Sequence, residues 1–206
     1  SRSSSFIKHF TSNTDCIMAE SLIDNYQGKL LVSHPRLPVG NPFKESVIYV
    51  TQDDDAATIG LILNLNSLTS VQKICNEKGI LFTDGRPKLF KGGPINSSVL
   101  LMLHSNEWQS QHTHNAGHNY AVSSDTFMFE KIGTGNFPLY YRIFAGITAW
   151  QPGQLHAEVN GQGPYTDKLA WLLAEPNDDI IFGSQGQQQY VSALELCGQQ
   201  MLNQYI

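Results

Sequence analysis

Three imidazoles crowd one stretch of this 206-residue chain: His112, His114 and His118, spaced H-x-H-x3-H. Neutral histidines so close together bind Zn or Cu when a turn gathers them into a fixed geometry. Thr113, Asn115, Ala116 and Gly117 lie between them, with no carboxylate to orient a ring. Metal-bound imidazoles ordinarily have such a second partner. The stretch 105–119 therefore reads as a polar surface loop, with no metal and no cofactor assigned. His104 and His156 lie outside the triplet. Each is a candidate base for hydrolysis, in which an imidazole takes the proton of a nucleophile. Spacing nominates no nucleophile, since G-x-S-x-G and H-E-x-x-H are both missing, and no catalytic residue is assigned.

A second set of residues would bind rather than react. Gly92-Gly93-Pro94 fits neither the phosphate loop nor the dinucleotide fingerprint. Its glycines read as a close approach of two backbones or a positive φ. Just before it stand Arg86, Lys88 and Lys91, the densest basic cluster. Three cations in six residues could meet a small anion, but a solvated strand edge is the plainer expectation. Trp150-Gln151-Pro152-Gly153-Gln154-Leu155 places an aromatic at a strand end before a Pro/Gly turn into a helix. Gln154 would point back from the first turn. This corner is either structural or a ligand pocket, and burying an indole more often serves a core.

These residues need elements to hold them. Lys29–Val32, Ser46–Thr51 and Thr58–Leu63 read as strands, the last two as an antiparallel hairpin buried on both faces. Asp53-Asp54-Asp55 lacks the spacing of a calcium loop and reads as its solvated turn. A helix capped by Ser67 or Ser70 follows, with Leu68, Val71, Ile74 and Cys75 on one face and Lys78-Gly79 at its end. Lys88–Phe90, Ser98–Leu103 and Tyr120–Val122 are further strands. Ser124 or Asp125 caps a helix to Ile132, and Tyr140–Thr148 is a strong strand. A helix from Pro152 stops at Gly161. The last helix carries a stripe of Tyr190, Val191, Leu194, Cys197, Met201 and Leu202. Strands and helices mix without regular βαβ alternation, which makes this one α+β domain over 21–206 behind a flexible arm over 1–20.

Composition removes several classes of function. Hydrophobic residues make up 41%, which excludes disorder, and charged ones only 15%, with 29 amides nearly matching 31 charges. The formal charge is −5, divided as +1 over residues 1–91 and −6 over 92–206. That balance argues against direct nucleic-acid contact. No apolar run is long enough for a membrane span, and the first 20 residues show no apolar core of a secretory signal. Three distant cysteines without C-x-x-C exclude a zinc ribbon and a disulfide framework. They favour a reducing compartment, with Cys75 and Cys197 as small buried hydrophobes.

In order, four blocks carry a resemblance. They are Gly28–Val32 with Pro35 and Asn41–Tyr49; Gly60–Asn64; Gly92-Gly93-Pro94 with Leu103-His104; and Ala145–Leu155 with Glu158. Together, over about residues 28–185, they resemble the YqgE/AlgH family. His156 stands where that family is usually acidic, and Leu65-Asn66 where it usually has Arg-Pro, so this is a divergent member. The family's following Trp has a counterpart only if Trp171 serves. The resemblance implies an α+β domain with a mixed, strongly bent β-sheet and flanking helices. It implies a mostly bacterial, cytoplasmic group, often labelled as regulators, without an established activity.

The leading expectation is a non-enzymatic binding or interaction protein that acts through a protein partner rather than DNA. Its candidate groove lies near Asn64, Gly92, Gly93, Pro94, Trp150 and Gln154. Two alternatives stay open. One is a structural part of a larger assembly such as a virion, motivated by low charge and many amides; the other is a hydrolase-like enzyme with a histidine base. Oligomerisation, and an organelle in place of the cytoplasm, are open as well.

Overall fold

A computed structural model describes residues 25–164 and 171–206; the arm expected over 1–20 and Cys16 lie outside them. Nine described strands form a curled sheet in the order β6-β7-β5-β8-β3-β2-β1-β9, with β4 beside β8. They are β1 Leu30–Ser33, β2 Val47–Asp53, β3 Thr58–Ile62, β4 Leu89–Lys91, β5 Ile95–Ser105, β6 Thr113–Asn115, β7 Tyr120–Ser123, β8 Tyr141–Trp150 and β9 Trp171–Ala174. Every ladder is antiparallel except β4–β8, so the expected mixed sheet is present. Helices α1 Val71–Glu77, α2 Phe127–Gly133, α3 Gln154–Asn160 and α4 Gly186–Asn203 flank it, with one π-helical turn at Asp179–Gly183.

Successive strand residues point to opposite faces, and here both faces are covered. Leu30, Val32, Val47, Tyr49, Leu61, Leu103 and Phe144 enter one core with Tyr190, Ala193 and Cys197 of α4. Their neighbours Leu31, Ile48, Val50 and Ile62 enter a second, with Trp150, Leu155 and Trp171. A third core gathers Leu100, Met102, Ile143 and Ala145 with Val71, Ile74, Cys75, Met128 and Phe129. Each fully buried aliphatic contributes roughly 1.5–3 kcal/mol, so these three clusters hold the sheet in its curl.

Strand β8 bends the sheet. Its first half, Tyr141–Ala145, pairs with β5, and its second, Thr148–Trp150, pairs with β3. Gly146, at φ +77°, joins the two halves. Beyond it the inward parity changes: Phe144 and Ile147, an odd number of residues apart, both pack on the α4 core. The ladder to β5 answers with an irregularity between Ile95 and Leu100, the kind of bulge that curls a sheet.

Some local expectations are corrected. Leu68 is fully exposed and precedes α1, which Ser70 caps by accepting from the Lys73 N–H. The stretch 105–119 is not all loop, because Thr113–Asn115 pairs with β7. On α4, Val191, Met201 and Leu202 face outward, while Gln189 is fully buried. That amide is tolerated because its Nε2 donates to the carbonyls of Ile180 and Ile181 and its Oε1 accepts from Arg142.

Candidate functional site

The glycine turn lies where β3, β4 and β8 converge. Gly92 N–H donates to Ala145 O, while Gly92 O accepts from Ile62 N–H at 2.9 Å and from Thr148 Oγ1 at 3.2 Å. A Cβ on Gly92 would meet Gly146 O at 2.3 Å, and one on Gly93 would meet Ile147 O at 2.1 Å. Only hydrogen fits at such distances, so the glycines serve the close backbone approach. Asn64 ties the neighbouring loop: its Oδ1 accepts from Val47 N–H at 2.9 Å and its Nδ2 donates to Glu45 O at 2.8 Å. Pro94 is exposed and opens an arch of exposed residues from Ile95 to Val99.

The Trp150 corner is built around a residue that spacing alone did not single out. Glu158 Oε2 accepts from the indole N–H of Trp150 at 3.2 Å and from that of Trp171 at 3.0 Å. Glu158 Oε1 accepts from Gln154 Nε2 at 3.0 Å, and Gln154 Oε1 accepts in turn from Gln151 N–H. Trp171 thus completes the corner from β9. The i, i+4 spacing of Gln154 and Glu158 on α3 was the available signal. Next to it, His156 Nε2 lies 2.9 Å from Asp53 Oδ2, and Asp53 also accepts from Tyr26 N–H and Thr58 Oγ1.

His104 is sealed from solvent. Its Nδ1 lies 2.9 Å from Ser105 O and its Nε2 2.8 Å from Ser123 Oγ, which also meets Thr113 Oγ1. The carbonyl can only accept, so Nδ1 carries the proton and Nε2 accepts from the serine hydroxyl. Burial pushes the His104 pKa below its ordinary value, and the Ser105 carbonyl opposes that only in part. The three clustered histidines are exposed. Among the described residues, no three His, Cys, Asp or Glu side chains gather as a metal site would require. A nearby carboxylate orders this segment through the backbone: Asp125 Oδ2 accepts from His112 N–H and Oδ1 from Ser110 Oγ and Met128 N–H.

The curl leaves a groove of about 530 Å³ beside the turn. Its floor is Leu61, Leu101, Val122 and Ile147, and its walls include Gln27, Gln52, Asn96, Val99, Asn115 and Ser124. Of the six residues expected at a site, none lines this groove directly, although Gly92 packs on Leu61 and Gly93 on Ile147. Asn64, Trp150 and Gln154 are engaged in internal hydrogen bonds at two other places.

A family model described as AlgH-like matches residues 30–202. The chain belongs to that AlgH-like family. A UPF0301 protein of Rickettsia massiliae is 30% identical over 185 residues, covering 88% of this chain and 93% of the relative. Another, from Methylococcus capsulatus, is 31% identical over 173 residues, covering 83% and 91%. The fold matches the solution structure of the AlgH protein from Pseudomonas aeruginosa with a TM-score of 0.70 at 22% identity, over 88% of this chain and 93% of that one. A crystal structure of a Corynebacterium diphtheriae protein matches at 0.61 and 21% identity, over 80% and 83%. The curled sheet with flanking helices is thus the AlgH fold, and these relatives are bacterial. Among the described residues, no helix is long and apolar enough to cross a membrane.

Proposed function

We propose that this AlgH-like chain is a non-enzymatic interaction protein that holds a short segment of a protein partner in the groove of its curled sheet. The observation that carries this reading is the groove's composition. An aliphatic floor is ringed by polar side chains, mostly amides and hydroxyls with Asp54 and His114 among them, which suits alternating apolar and backbone contacts of an extended peptide. Gly92, Gly93 and Pro94 enter as the edge from which the exposed arch Ile95–Val99 springs. Asn64, Trp150 and Gln154 enter as the residues that hold the frame around it. The acidic balance of the chain favours a protein partner over DNA. A photo-crosslinking residue at Val99, on the groove wall, is expected to capture one discrete protein in cells. The same residue at Leu202, on the outer face of α4, is expected not to. Equal capture at both positions overturns the reading.

A further inference from the structure

Away from the groove, and sharing no lining residue with it, a cavity of about 520 Å³ opens between β4, the start of β8 and the π-helical turn. Arg86, Lys88 and Arg142 line it, and among the described residues no aspartate or glutamate does. Arg86 is already neutralised by a bidentate pair with Asp84, at 2.8 and 2.7 Å. Among the described residues, Lys88 and Arg142 have no such partner. Lys88 makes only a 3.5 Å contact with the Gln185 amide oxygen. Arg142 donates to Leu63 O, Gln189 Oε1 and Ser184 O at 2.9–3.1 Å and more weakly to Phe182 O. All of these acceptors are neutral.

Carbonyl dipoles solvate a guanidinium without cancelling its charge, and removing a charge from water is costly when nothing of opposite sign replaces the water. Arg142 is 8% exposed. Burial pushes its pKa down to about 10, the direction expected of a cation short of a counter-charge. Among the described residues, its Nε–H has no acceptor. Residues 92–206, which carry Arg142, sum to −6, so this cation stands out against its own half of the chain. Four aromatic rings share the lining with Pro87, Ile143 and the 183–185 segment: Phe90 lies under the guanidinium at 4.1 Å, with Phe137, Tyr141 and Phe182 beside it in the wall. Such rings offer flat apolar surface to a planar group.

We propose that this cavity binds a small organic anion, a phosphate or carboxylate head on a planar ring, with Arg142 and Lys88 receiving the head and the aromatic wall the ring. Both terminal nitrogens of Arg142 already donate to protein oxygens, so the head takes one hydrogen bond from its Nε–H and an ion pair from Lys88, an arrangement that suits a phosphate and a carboxylate alike. The sequence reading of Arg86, Lys88 and Lys91 as a solvated edge is thereby narrowed. Lys91 does not line the cavity, and Arg142, over fifty residues away in sequence, takes its place.

The test is calorimetric titration of the full chain with adenosine monophosphate and 4-hydroxybenzoate as ringed anions. Adenosine, 4-hydroxybenzyl alcohol and inorganic phosphate are the controls. At least one ringed anion is expected to bind about tenfold or more tighter than both its uncharged counterpart and phosphate. Lys88→Gln, an exposed substitution that leaves the fold intact, is expected to weaken that binding about tenfold. Which anion binds distinguishes a phosphate from a carboxylate ligand. The proposal is overturned if neither anion binds at about 10 mM, or if the uncharged counterpart or phosphate alone binds as well. Binding that Lys88→Gln leaves unchanged overturns it too.

Discussion

Two charged side chains, Arg142 at the start of β8 and Glu158 on the helix α3 that follows it, meet similar neighbours and different space. Glu158, beyond the end of β8, accepts from two indoles and an amide. Arg142, at its start, donates to carbonyls and an amide. Among the described residues neither has an ion-pair partner. The acid, itself half-buried, lies against the buried rings of Trp150 and Trp171 and beside the half-buried Gln154. The arginine borders an aromatic cavity large enough for a ligand. Hydrogen bonding alone therefore does not separate a structural charge from a binding one. What separates them is whether room has been left for a counter-charge.

The largest effect should come from Arg142. Arg142→Met leaves the Leu63 and Ser184 carbonyls and the Gln189 amide without their donor, and should cost about 3 kcal/mol in urea denaturation. A loss below about 1 kcal/mol would show that the carbonyls do not depend on the arginine and would break the parallel with the corner. Next comes Glu158→Ala, which strands two buried indole N–H groups. It should cost about 2 kcal/mol and change the tryptophan emission. Because the corner shares no residue with the lining of the Arg142 cavity, it should leave any anion affinity there unchanged, and a parallel loss of affinity would merge the two regions.

The smallest effect concerns a fully buried ionisable group away from both, His104. Its folded pKa lies below the ordinary 6.5, so the unfolded chain takes up the proton first as pH falls. Its contribution is complete above about pH 6.5 and is lost as the pH drops below that. Wild type should thus lose about 1 kcal/mol or less between pH 6.5 and 5, and His104→Gln should flatten that slope. The depressed pKa of Asp125 acts at lower pH. Burial opposes it, but the donors Ser110, His112 N–H and Met128 N–H prevail, so its loss begins only as the pH falls through the carboxylate range.

Much of the fold was legible along the chain because the signals are local. Periodic apolar residues, the Ser70 cap, the Gly79 and Gly161 stops and the buried hairpin Val47–Ile62 depend on neighbours within a few positions. Less of the site was legible. Gln154 and Glu158 share one helical face, but the indole that completes the corner comes from β9. A lone arginine inside the apolar run Tyr140–Thr148 was a signal in itself, since charge in a buried strand demands partners. Nothing local said that those partners would be carbonyls near Leu63 and Ser184.

By itself the sequence determined the elements, the glycine turn and the family, because dihedral preference, capping and apolar spacing are short-range properties of consecutive residues. Tertiary structure alone decided which charges are answered. Whether Glu158 meets both indoles, whether Arg142 faces a cavity and whether Lys88 joins it depend on segments 13 to 79 residues apart in sequence. Electrostatic cost is set by what lies within a few ångströms in space, and the curl of the sheet at Gly146 is what sets that distance.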